Sequence, residues 1–124
     1  MRAKYKLKTI AFDPREANQF SMDAIAHGVD MLEVIQSAKN MNGPMQDVDI
    51  FMRDKMIFHN GNPVFRWMMS NVIPNYSKGG KYVMPARKFA HLKIDGPVAL
   101  MMGLQVAMTQ PAALTAESIR PLAL

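Results

Sequence analysis

The run LKTIAFDPREANQFSMDAIAHGVDMLEVIQ, Leu7 to Gln36, decides the architecture. LKTIAF is β-prone and stops at Asp13-Pro14, after which apolar residues return at Ala17, Phe20, Ala24 and Ile25 with helical spacing. The pattern predicts strand, turn, helix. Asp13 is expected as the helix N-cap, Pro14 at the first helical position and Gly28 as the C-terminal stop. DMLEVIQ then reads as a second strand, and a helix of this length is the usual crossover between parallel neighbours.

The alternation continues outward. Asn42-Gly43-Pro44 is expected to open another helix, with Met45, Val48, Phe51 and Met52 on one face, and KMIFH to follow as a third strand. Asn60-Gly61 reads as a turn and Asn62-Pro63 as the cap of a helix that buries Val64, Trp67 and Met68. NVIPNY and KYVMPARK flank Ser77-Lys78-Gly79-Gly80 as a hairpin, which Pro74 and Pro85 confine to an edge. A last helix is expected from Asp95 to about Met108, with Val98, Met101, Met102 and Gln105 along one stripe. This is an α/β pattern, with a domain over residues 1–109 and a loosely ordered tail over 110–124.

With 124 residues and an apolar fraction of 49%, the chain suits one compact domain or one part of a larger one. Cysteine is absent, which excludes disulfides, thiolate metal sites and cysteine nucleophiles. MRAKYKLKTIAF has no continuous apolar segment before the first acidic residue, and the longest apolar run, Pro97 to Leu104, is too short for a bilayer. A soluble, intracellular protein is expected. The 13 methionines are spread over every expected helix, which suits an adaptable core better than a metal site.

Charge is unevenly placed. Residues 1–54 carry seven Lys/Arg against eight Asp/Glu, residues 55–94 seven against none, and residues 95–124 one against two. The middle block suits a polyanion such as nucleic acid, or equally a solvated basic face. Two carboxylates stand out against it. Asp13 ends the first strand, where open α/β sheets place ligands, and Asp95 begins the last helix. Either position is what capping alone would select; converging, the two would offer hard oxygen donors to Mg²⁺ or Mn²⁺. His59 could touch a phosphate or stabilise a turn, Arg66 is expected to be exposed, and Lys93 could orient a carboxylate or screen a phosphate. No G-x-x-x-x-G-K-[ST] loop, G-x-S-x-G elbow or zinc-ligand spacing is present.

IAFDPREANQF, FHNGNPVFRWMMSNV and RKFAHLKIDGPVALMMG, in this order and spacing, resemble the C-terminal nuclease domain of the large terminase subunit of tailed phages, from about Lys8 to Met108. The resemblance implies a partial ribonuclease H-like nuclease fold, a mixed sheet flanked by helices. It also implies an acidic cluster holding two divalent metals that cleaves double-stranded DNA for packaging. Asp13 and Asp95 match the family's strand-end and helix-start acids, and His59, Asn60 and Asn62 its strand-to-helix segment. Lys93 matches the basic residue before the final acid. Arg66 and Lys88, within the matching strings, are expected with these four to contact DNA. Departures from the family are the initial meander with its carboxylate and the ATPase motor, both lacking here, and Pro97 where an apolar β-branched residue is usual. The implied protein is a fragment, weak or inactive alone, from a prophage or split gene in the host cytoplasm, with other terminase or portal components as partners. Two other readings stand beside it: a non-catalytic DNA-binding or assembly module using the 55–94 block, and a fragment that folds once a partner supplies the lacking strands.

Overall fold

A computed structural model of the chain describes residues 7–15 and 17–109, so the expected tail lies outside the described residues. The strand-helix-strand unit forms as β1 (Thr9–Phe12), α1 (Asn18–Ala26) and β2 (Asp30–Glu33). β1 and β2 are parallel, in register from Thr9 opposite Asp30 to Phe12 opposite Glu33. Gly28 stops α1 at φ 71°, its N–H donating to the Ile25 carbonyl.

Asp13 is not the N-cap of α1. The helix begins at Asn18 behind Ala17, which makes no side-chain cap. The Asp13 carboxylate instead accepts from the Arg15 N–H two residues on, at 3.0 Å, an Asx turn that competes with capping.

The second helix also starts elsewhere. α2 (Ala38–Arg53) opens at Ser37, whose Oγ accepts from the Asn40 N–H at 3.2 Å, and Asn42-Gly43-Pro44 lies inside it. Met41, Pro44 and Val48 form its buried stripe. The Asn42 Oδ1 accepts from the Val83 N–H, so this side chain serves a strand and not a helix start. The third strand expected at KMIFH is absent: residues 56–62 are irregular, with Ile57 half-buried and Phe58 exposed. The cause is the end of α2, where the Lys55 N–H donates to Met52 O and the Met56 N–H to Phe51 O. That pair of bonds is a Schellman cap and turns the chain aside.

α3 (Pro63–Ser70) starts as expected, with Asn62 Oδ1 accepting from the Val64 and Phe65 N–H groups. Its face is not the one expected, for Val64 and Trp67 are 54% and 45% exposed. Phe65, Met68 and Met69, spaced i, i+3 and i+4, are the residues drawn inward where α3 meets the last helix.

The hairpin is β3 (Val72–Tyr76) and β4 (Val83–Arg87), antiparallel, with Pro74 opposite Pro85. Lys88 donates to Asn71 O and Ser77 to Tyr82 O across the flanking pairs. Antiparallel pairs alternate between bonded and non-bonded, so counting inward makes Pro74–Pro85 a non-bonded pair in which neither strand needs an N–H from the other. α4 (Asp95–Thr109) closes the described chain and packs against β1, α2 and α3.

Among the described residues the strands thus form one parallel and one antiparallel two-stranded sheet, flanked by helices. Val34, Met41, Val48, Met101, Met102 and Val106 make the core, with Met45, Met69 and Met84 packed against it, so methionines do much of the filling. No described helix is long and apolar enough to cross a membrane.

Candidate nucleic-acid and metal site

Asp95 stands in the first turn of α4, where the partial positive charge of a helix start favours a carboxylate. It is exposed, and no described N–H donates to its carboxylate. It opens on a cleft of about 470 Å³ that Gln36, Arg87 and Lys93 also line. Three separate pieces of chain meet there: the segment after β2, the end of β4 and the start of α4.

Asp13 reaches the same wall through Gln36. Its side chain is 16% exposed, and Oδ2 accepts from the Gln36 N–H at 3.3 Å while Oδ1 takes Arg15, with Arg15 Nε at 3.5 Å. Arg15 Nη2 donates to the Gln36 carbonyl at 3.0 Å, so both backbone groups of Gln36 are held. The Gln36 amide donates to Met102 Sδ at 3.6 Å.

The loop carrying Lys88 and Lys93 is tied down from beneath. Buried Asn71 donates through Nδ2 to the Lys93 carbonyl at 3.0 Å, and its own carbonyl accepts from the Lys88 N–H at 3.1 Å. Arg87 Nη1 donates to Ala90 O at 3.2 Å. Both lysine side chains remain exposed, Lys88 with its Nζ 5.7 Å from the Phe89 ring centroid.

His59, Asn60, Asn62 and Arg66 gather elsewhere. His59 Nδ1 accepts from Gly61 N–H at 3.0 Å and Asn60 Oδ1 from Asn62 N–H at 3.2 Å, so these side chains build the turn into α3. His59 and Arg66 line a cavity of about 390 Å³, and His59, Asn60 and Asn62 another of about 430 Å³; Asp95 lines neither. Sequence reading missed Gln36, Arg87 and Asn71. Arg87 was visible as part of the basic block, whereas Gln36 and Asn71 act through backbone contacts that no local pattern announces.

The carboxylates of Asp13 and Asp95 are the hard oxygen donors that Mg²⁺ or Mn²⁺ prefer. They do not fit a two-metal centre by themselves: no group of three His, Asp or Glu among the described residues could hold a metal. Asp13 is moreover already engaged by Arg15. The cationic side is better furnished. All seven Lys and Arg of residues 55–94 are exposed, and the ion pairs among the described residues, Arg15–Asp13 and Arg53–Asp49, lie outside that block.

Residues 1–110 match the family described as terminase large subunit, endonuclease domain. Protein YmfN of Escherichia coli (strain K12) is 33% identical over 97 residues, which are 77% of this chain and 21% of that protein. The crystal structure of the HK97 bacteriophage large terminase superposes with a TM-score of 0.72 at 26% identity, over 85% of this chain and 22% of that one. The chain thus spans about a fifth of the length of these relatives. The structural match bears out the expected fold, part of a ribonuclease H-like α/β nuclease domain.

Proposed function

Because the chain belongs to the terminase large subunit endonuclease-domain family, we propose that it supplies part of a Mg²⁺- or Mn²⁺-dependent centre that cleaves double-stranded DNA for viral packaging. The observation that carries this reading is the cleft: the Asp95 carboxylate, without a described donor, opens on it beside Arg87 and Lys93, and Asp13 holds the backbone of Gln36 on its wall. Arg87 and Lys93 bind the phosphates on either side of the scissile bond, since clustered cations offset the charge that the backbone brings. Asp95 and Asp13 would be the donors to the metal among the described residues, and the centre would need further carboxylates beside them. Ions held there would supply activation of water and stabilisation of the leaving oxygen. Working in the host cytoplasm with other terminase or portal components follows from the same reading.

The test is Mn²⁺-dependent nicking of supercoiled plasmid by the purified chain beside Asp95→Ala. Nicking should fall by roughly tenfold or more in the variant, as losses at metal sites do. Cleavage indifferent to the substitution, or to chelation of the metal, would sink the assignment.

The basic block, exposed and without ion pairs among the described residues, favours a second reading, DNA binding without catalysis. It requires that binding survive replacement of both acids.

A further inference from the structure

Lys55 occupies a position built for glycine. It is the residue just past the end of α2 in the Schellman cap, at φ 56°, and among the described residues it is the non-glycine at positive φ. At Gly28, Gly61, Gly79 and Gly80 the chain meets the same demand with glycine. A Cβ is disfavoured in this conformation, so a lysine here points to a use for its side chain.

Lys55 lines the cavity of about 390 Å³ between the end of α2, the 55–62 connection, α3 and Leu100 of α4. Ile57, Phe65 and Leu100 form its apolar floor; Lys55, Arg66 and His59 are its polar rim. No described carboxylate pairs with Lys55 or Arg66. The His59 Nδ1 accepts the Gly61 N–H, so Nε2 is the ring nitrogen left to meet a ligand. Cationic and imidazole residues beside an apolar lining, in a volume of the size that takes small organic ligands, suit an apolar body joined to an anion.

We propose that this cavity receives one unpaired nucleotide of a DNA strand, its base on the floor against Phe65 and its phosphate on Lys55, Arg66 and His59. The assignment rests on the DNA reading above and deepens it. A base paired in duplex keeps its faces stacked and could not enter, so the pocket selects a strand that is locally open. Its place is telling as well. Phe65 also packs against Gly96, one residue beyond Asp95, so a nucleotide seated here lies across the α3–α4 contact from the cleft.

The experiment is amide chemical-shift titration of the full 124-residue chain with thymidine 5′-monophosphate, with thymidine and inorganic phosphate as separate probes. The nucleotide should shift Lys55, His59, Phe65 and Arg66, and each half alone should bind at least roughly tenfold more weakly. Lys55→Gly should leave the melting temperature unchanged or raise it while weakening the nucleotide roughly tenfold; Arg66→Gln should weaken it comparably. Asp95→Ala should bind it as the parent does, which separates failure of this pocket from failure of the cleavage centre. Undiminished binding by Lys55→Gly, equal shifts from phosphate alone, or preference for an apolar carboxylate such as N-acetylleucine, the sign of a peptide partner, would each overturn the proposal.

Discussion

At Gly96 a Cβ would meet Phe65 Cδ2 at 3.1 Å and Met68 Sδ at 3.2 Å, and the residue's N–H donates to that same sulfur. Alanine gains a little in helix propensity there but must push two α3 side chains aside. Gly96→Ala is therefore expected to cost about 1–3 kcal/mol in urea denaturation, as overpacking does. An unchanged midpoint would mean that α3 yields freely. Met41, 1% exposed, tests the opposite defect: Met41→Ala should cost about 2–5 kcal/mol through the cavity it leaves. Asp13 and Asp95 were legible as candidate residues because each sits at the junction of a strand or helix with a turn. Their surroundings were not. The group that ties Asp13 to a residue of the cleft wall is the N–H of Gln36, 23 residues on, and backbone groups have no signature in sequence.

The elements that local chemistry over-determines could be read directly. β1 and β2 carry strand composition around a glycine-stopped helix, Asn62-Pro63 is cap and first-turn residue together, and the hairpin is marked by its Ser-Lys-Gly-Gly turn. Those decided by tertiary contacts were misread. Asn42-Gly43-Pro44 resembles a helix start because each residue is a breaker. α2 nonetheless runs through it, since Pro44 is buried on the core stripe and Asn42 satisfies the outward N–H of Val83. Trp67 fell in register with Val64 and Met68, yet α4 meets the stripe one residue further on. Asn62→Ala leaves two α3 N–H groups without their acceptor and should lower stability by about 1 kcal/mol in thermal or urea unfolding. Ser37→Ala, losing one, should cost no more. The Pro74–Pro85 pair explains how prolines fit a hairpin: in a non-bonded pair the N–H that each lacks would have pointed outward, so the ladder loses nothing. On the β4 side that outward position, Pro85, is buried, where an N–H would have needed a partner.

Over the molecule as a whole, the acids and the cations are unevenly placed along the chain. Seven exposed cations between residues 55 and 94, without an ion-pair partner among the described residues, predict salt-dependent DNA binding. If about six of them meet phosphates, affinity should fall by roughly 10³-fold between about 50 and about 200 mM salt, measured by fluorescence anisotropy. Asp13→Ala with Asp95→Ala should leave that dependence intact; loss of binding would show that the carboxylates serve the DNA and not a metal. The fold class was legible because strand and helix patterns alternate. The separation of the Asp95 cleft from the cavities lined by α3 was not, because it depends on tertiary contacts such as that of Phe65 and Met68 with Gly96. The cleft carries one further consequence, in time. Gln36 lies 51 residues before Arg87, whereas Arg87, Lys93 and Asp95 are near neighbours in sequence, and α4 brings Met101, Met102 and Val106 to the core. Loops that long close late, after local hairpins and helices. The Arg87–Asp95 segment, which continues directly from the hairpin, can therefore order before Gln36 arrives beside it, so that the wall to which Asp13 is bonded is the last side of the cleft to be assembled.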